Sequence, residues 1–276
     1  MMKLLLTITL TISPILTQCD WNEDGILNVI DVIETVNCIL NSSWDGSQCD
    51  WNEDGTLNVI DVVESVDCIL NSCWGPGDGI VTDIDGNVYE TITIGDQLWM
   101  AENLKVTHFN NGDEIPSGFA HSQWEYLNTS AFAVYNDYSG NAEIYGNLYN
   151  GHVIDDDRSV CPEGFHLPSD EEWTVLTDFL GGSAGSQLAG NADLWNSGDL
   201  INDIAFGTSG FLALPGGYRY TLGYFNLMSD DCYFWSSTTF DSSAAWYRRI
   251  NRNNSEATRT TGNIQHGFSV RCTGDQ

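Results

Sequence analysis

The residues with the clearest chemistry form two short acidic loops near the start of the chain. In the first, Asp20, Asn22, Asp24, Asn28 and Asp31 surround Gly25; in the second, Asp50, Asn52, Asp54, Asn58 and Asp61 surround Gly55. Side-chain oxygens at loop positions 1, 3, 5 and 12, with Gly at position 6, suit Ca2+, a hard cation that takes about six to eight oxygens at ~2.3–2.6 Å. Alternate residues of a tight loop point inward, Gly permits the sharp turn, and position 7 offers its backbone carbonyl, here Ile26 and Thr56. Asn28 and Asn58 stand at position 9, and Asp31 and Asp61 close each sphere from the first turn of a following helix. Two Ca2+ ions are therefore expected. The carboxylates of an empty loop repel one another, so order there is expected to depend on metal. The metal-free alternative is an acidic turn that caps a helix.

The elements around these loops are duplicated. Residues 18–44 and 48–74 repeat at a period of 30 and agree at 22 of 27 positions, so the pair is expected to pack on itself to bury its apolar stripes. After each loop, over Val29–Leu40 and Val59–Leu70, apolar residues recur at helical spacing. Asp45-Gly46-Ser47-Gln48 precedes the second loop, so the entering helix of a full EF-hand is missing. The pair, over residues 19–74, resembles a dockerin domain. That resemblance implies a small all-α loop-helix pair with antiparallel helices that plugs into a cohesin-type scaffold module. The family's partner-selecting positions fall on Val29-Ile30 and Val59-Ile60. In such an antiparallel pair Cys19 faces Cys68 and Cys38 faces Cys49. Pairing Cys19 with Cys38 instead would span roughly 15 Å at ~1.5 Å per residue, beyond the limit of about 7 Å between the Cα atoms of a disulfide.

Charge and export signals narrow the setting. The chain has 276 residues and a formal charge of -30, from 39 acidic against 9 basic residues, which repels nucleic acid and anionic lipid. Residues 1–18 read as a signal peptide: Lys3 precedes an apolar run from Leu4 to Leu16 that is too short to span a bilayer. No later run approaches ~20 apolar residues, so no transmembrane anchor is expected. Leu16-Thr17-Gln18-Cys19 offers lipidation as an alternative, but Gln48-Cys49 repeats the pair inside the chain, which gives Cys19 a structural explanation. Eight cysteines without a CxxC motif, in an exported chain, point to disulfides. A secreted or cell-surface location is expected.

Gly75 to Gly79 is a linker by composition, and residues 80–276 form a second, larger domain. Val81–Tyr89 reads as strand, turn and strand about Asp85-Gly86, and Thr91–Trp99 as a further strand. Ser169-Asp170-Glu171-Glu172 is a capping box that opens a helix to Leu180, stopped by Gly181; Trp173, Leu176, Phe179 and Leu180 give it an apolar face. Gly210–Leu214, Tyr218–Phe225, Tyr233–Thr239, Ala244–Ile250 and Gly267–Cys272 read as short aromatic strands. The expected class is α+β, rich in loops.

Six phrases in order carry a second resemblance: VTDIDGNVYETITIGDQLWMAENLK, GNLYN, VCPEGFHLPSDEEW, GTSGFLALPGGYR, YFWSSTT and GFSVRC. Over residues 80–273 the chain resembles the Fibrobacter succinogenes major paralogous domain, a family of secreted bacterial modules. The resemblance implies a C-type-lectin-like fold, in which a long-range disulfide ties the helix start to the last strand; Cys161 and Cys272 occupy those places. Cys73 and Cys232 are left to pair with each other or to stay free.

Motifs for catalysis are missing. No GxSxG, HExxH or phosphate loop occurs, chance carboxylate pairs carry no weight among so many acids, and a non-catalytic protein is expected. The calcium-dependent sugar motifs of true C-type lectins are missing too. Tyr218, Arg219, Tyr220, Trp235, Trp246 and Arg248 cluster in the strand-like part and offer either a ligand face or core packing. The sequence thus points to a calcium-stabilised two-module protein, with a dockerin-like part for anchoring and a lectin-like part that binds an extracellular glycan or protein. A polysaccharide-degrading enzyme and a structural subunit of a surface layer or fibre are the alternatives.

Overall fold

A computed structural model describes residues 57–63 and 79–275, with the single positions 32, 33, 35, 36 and 39. The chain divides into two units, Met1–Gly79 and Ile80–Gln276. In the first unit residues 59–63 are helical, as are the five single positions. Asn58 caps the turn that begins at Val59. Its Oδ1 accepts from the N–H of Ile60 (2.9 Å), and Asp61 Oδ2 accepts from the N–H of Asn58 (2.7 Å), a reciprocal capping arrangement.

The second unit is mixed α/β, rich in sheet and poor in helix. Asp83 shapes its first turn. Its carboxylate accepts from the N–H groups of Asp85 and Asn87 (both 3.0 Å) and from the Tyr89 hydroxyl (2.7 Å), which folds β1 (Ile80–Thr82) onto β2 (Val88–Ile94). The expected strand Thr91–Trp99 is broken. Gly95, at φ +64°, and Asp96 form a two-residue turn, so Ile94 faces Gln97 and β3 runs Gln97–Met100. Gly at the first position of such a turn supplies the left-handed backbone that matches strand twist.

The remaining strands are β4 (Phe132–Ala133), β5 (Leu148–Asn150), β6 (Phe165–His166), β7 (Gly216–Arg219), β8 (Phe225–Met228), β9 (Asp231–Asp241), β10 (Ala244–Asn251), β11 (Asn254–Asn263), β12 (Gly267–Phe268) and β13 (Thr273–Gly274). The helices are α1 (His121–Trp124), α2 (Gly140–Tyr145), α3 (Asp170–Leu180), α4 (Ala184–Leu188) and α5 (Asp199–Asn202). One sheet has the order β1-β2-β3-β13-β6, and the other β11-β10-β9-β7-β12-β5-β4, with β8 paired to β7. Of the expected strand segments, Tyr218–Phe225 is a hairpin. Gly267–Cys272 pairs at β12 and through a parallel bridge from Ser269 to Phe234, and Gly210–Leu214 adds a single bridge from Ala213 to Ala189. Leu212, at φ +55°, is the reason that last stretch cannot run extended.

Alternation along β9 separates two cores. Tyr233 and Trp235 join Tyr149, Phe268 and Val270 in one, while Cys232 and Phe234 join Trp99, Trp173 and Phe211 in the other. The second core seats α3. Ser169 Oγ accepts from the N–H of Glu172 (3.1 Å) and Glu172 Oε2 from the N–H of Ser169 (2.7 Å); Gly181, at φ +76°, ends the helix. Trp173 and Leu176 are buried as expected, but Phe179 is exposed, with its ring over Gly95. Cys161 and Cys272 are disulfide-bonded, joining the run before α3 to the residue before β13. No helix among the described residues is long and apolar enough to cross a membrane.

Candidate functional site

The six residues expected to offer a ligand face do not share one. Arg219 is buried beneath the β7–β8 hairpin. Its Nε donates to the carbonyl of Gly223 (2.9 Å) and its Nη2 to that of Phe119 (2.6 Å), with the guanidinium 4.3 Å from the Trp124 ring centroid. Arg248 is buried against α3: Nη1 donates to Asp170 Oδ1 (2.7 Å) and Nη2 to the Asp170 carbonyl and Thr174 Oγ1 (both 2.9 Å). Trp235 donates its indole N–H to the Tyr149 carbonyl (2.8 Å) and packs on Phe268. Trp246 lies against Arg259, whose guanidinium is 3.6 Å from its centroid. These four belong to the framework, because strand alternation turns three of them inward and an acid or carbonyl receives each arginine.

Tyr218 and Tyr220 do come together. Their rings meet edge to face at 6.4 Å, and both contact His266, at 5.7 and 5.4 Å. Burial pulls the His266 pKa down to about 4, so the ring is neutral at pH 7. Tyr220 starts a tight turn in which its N–H donates to the Tyr224 carbonyl (2.7 Å). Gly223, at φ +85°, is required at the turn, where a Cβ would run into the backbone of His121. Tyr224 stacks on His121, with 4.7 Å between centroids and planes 25° apart, and His121 Nδ1 lies 2.6 Å from the Gly223 carbonyl. The result is a hairpin tip with Tyr220 39 %, Leu222 45 % and Tyr224 57 % exposed. Tyr224 and His121 carry no sequence signal of their own, because Tyr218–Phe225 has the composition of one strand; the Leu222-Gly223 pair is the local signal for the turn.

Elsewhere charged groups serve the scaffold. His166 bridges Glu172 (Nε2, 2.8 Å) and Asp275 (Nδ1, 2.7 Å). Burial opposes its charged form, but the hydrogen bonds from Asp275 and Glu172 outweigh that and raise its pKa. In the acidic run 155–157, Asp156 is held by Arg158 and by Ser130, with its pKa lowered to about 2 chiefly by the Arg158 hydrogen bonds.

Of the expected Ca2+ ligands, Asn58 and Asp61 are placed side by side at a helix start, with Asp61 buried. Their side-chain oxygens are of the type a hard cation takes. The ten others lie outside the described residues. Cys19, Cys38, Cys49, Cys68 and Cys73 lie there too. Cys232 is a free, buried thiol in the second core; the expected pairing with Cys73 falls on a residue outside the described ones.

Residues 92–273 match the family model described as the Fibrobacter succinogenes major domain. No curated protein and no solved structure matches the chain.

Proposed function

The chain belongs to the Fibrobacter succinogenes major domain family, and from that premise we propose that it is a secreted, non-catalytic binding protein of two modules. Its large domain, C-type-lectin-like in fold, holds an extracellular glycan on the hairpin tip of Tyr220 and Tyr224. Its dockerin-like repeats, each loaded with one Ca2+, anchor it to a cohesin-type scaffold module. The observation that carries the glycan reading is the pair of exposed tyrosines at the hairpin tip, Tyr220 against neutral His266 and Tyr224 stacked on His121. Exposed aromatic planes at a rigid turn give large apolar contact area with little ordering cost and a hydroxyl at the edge. The acidic charge of the chain disfavours anionic glycans, so the ligand is a neutral polysaccharide. Support for the lectin-like fold is the Cys161–Cys272 bond and the entry of β13 into the sheet that β1 begins. Support for docking is that Val59 and Ile60, at the partner-selecting positions, are exposed.

Affinity electrophoresis on neutral soluble polysaccharides tests the glycan reading. Retardation by at least one of them, abolished in Tyr220→Ala/Tyr224→Ala, is expected; no retardation, or equal retardation of the double variant, overturns it. Calcium calorimetry with melts in chelator tests the repeats, where two sites and a lowered melting temperature on chelation are expected.

A further inference from the structure

A cavity of about 230 Å³ opens between the loop after β3, helix α2 and residues 212–214. Arg271 lines it and is wholly buried. Its Nη1 donates to the carbonyls of Met100 (3.0 Å) and Phe211, and its Nη2 and Nε to Asn103 Oδ1 (2.6 and 3.2 Å). Every one of these acceptors is neutral. Arg158, Arg248, Arg249, Arg252 and Arg259 each pair with an aspartate, whereas Arg271 pairs with none among the described residues. Burial draws the Arg271 pKa down to about 9, which still leaves the guanidinium charged at pH 7. Glu102, in the same lining, acts on it only through space, so a buried cation hydrogen-bonded to dipoles alone projects positive potential into the space beside it.

Lys105, the one lysine after residue 3, also lines the cavity. Its Nζ stands 3.8 Å from Glu143 Oε2, on a side chain that is largely exposed, so that pairing is loose and yields readily. Ile144, Leu212 and Leu214 supply apolar wall. Leu212 is fixed in the left-handed region, and its carbonyl, like that of Phe211, is turned to the guanidinium. Three of the phrases that mark the family meet here, contributing Glu102 and Lys105, Leu212 and Leu214, and Arg271.

We propose that this cavity binds a small monocarboxylate with a short apolar chain, the carboxylate drawn to Arg271 and Lys105 and the chain resting on Ile144, Leu212 and Leu214. The site is independent of glycan binding at the hairpin.

Calorimetric titration of the full chain with hexanoate, with hexanol and hexylamine as matched probes, tests it. Saturable binding of hexanoate is expected, with hexanol and hexylamine at least about tenfold weaker for want of the negative charge. Ile144→Trp, at an exposed position of α2, fills the opening and abolishes hexanoate binding with the melting temperature kept, and Lys105→Gln weakens it about threefold or more. The proposal is overturned if hexanoate gives no saturable heat with cooperatively melting protein. Equal binding of hexanoate and hexanol, or unchanged binding by folded Ile144→Trp, overturns it as well.

Discussion

Arg248 and Arg271 are both buried, yet they are held by opposite means. Arg248 meets Asp170, whose other oxygen receives Arg259 from β11 (2.7 Å), so two cations share one carboxylate and fasten α3 to β10 and β11. Arg271 hydrogen-bonds only to carbonyls and one amide oxygen, and lies over the rings of Phe211 and Phe234, 4.2 and 5.6 Å from its carbon. In a chain with 39 acidic residues, the lack of a carboxylate at Arg271 is not a matter of supply. Charge that is cancelled acts as a fastener, and charge left standing beside a cavity is available to a ligand.

The largest expected effect breaks the carbonyl-held member. Arg271→Met leaves the Asn103 amide oxygen and the carbonyls of Met100 and Phe211 without their donor, and about 3–5 kcal/mol of stability is expected to disappear. A denaturant midpoint like that of the parent would remove the basis of the contrast.

Next comes the acid-held member. Burial pushes the Asp170 pKa up, but Arg259 and Arg248 outweigh it and hold the carboxyl below its ordinary value. That contribution is present above the ordinary carboxylate range, near pH ~3.9, and is lost as pH falls through the lower folded value. Asp170→Asn is expected to cost roughly 2–3 kcal/mol at pH 7 and to flatten the loss of stability below pH ~4. The neutral acceptors of Arg271 do not titrate, so they add nothing to that slope; urea melts from pH 7 to 2 measure both points.

His166 reverses the sign. Its pKa is raised in the folded state, so its contribution is complete below about pH 6.5 and fades as pH rises through the folded value. The ring is more than a third exposed, so less than about 1 kcal/mol is at stake. His166→Gln should level the melting temperature across that window, and an unchanged slope would exclude the bridge as a source of pH dependence.

The smallest effect on stability belongs to the hairpin tip. Tyr220→Ala/Tyr224→Ala is expected to shift unfolding by about 1 kcal/mol or less while removing polysaccharide retention. A large destabilisation would place the tip with the fasteners instead.

Local signals in the sequence located local structure. The α3 capping box, its stop at Gly181 and the first hairpin were legible because Ser169, Glu172, Gly181 and Gly86 act within a few residues of themselves. The break at Gly95-Asp96 was legible in kind but masked by the β-formers on both sides. Strand β11 was missed because Asn254–Asn263 is an edge strand whose residues are nearly all polar, and a polar edge has no apolar alternation to read. The inward turn of Arg219 and Arg248 escaped for a different reason. Arg219 has one acceptor nearby at Gly223, but its other, and that of Arg248, lie on segments 100 and 78 residues away, a separation that spacing does not encode. Arg271 is the extreme case, with acceptors at Met100, Asn103 and Phe211 and no acid to announce it.

The placement of β13 sets the timing of folding during synthesis. Thr273 sits between Trp99 and His166, and its hydroxyl donates to the Leu98 carbonyl across 175 residues of sequence. A ribosome that has finished β1, β2 and β3 has yet to translate the strand that covers the edge of β3, and the cysteine that closes the disulfide comes just before it. A nascent chain therefore carries an open sheet edge and an unpaired Cys161 thiol until residues 272–274 emerge, so this sheet cannot be completed before synthesis reaches its last strand. Loop closure over such a span is slow, so the same weave makes the covering of the β3 edge and the closing of the Cys161–Cys272 bond late events in folding.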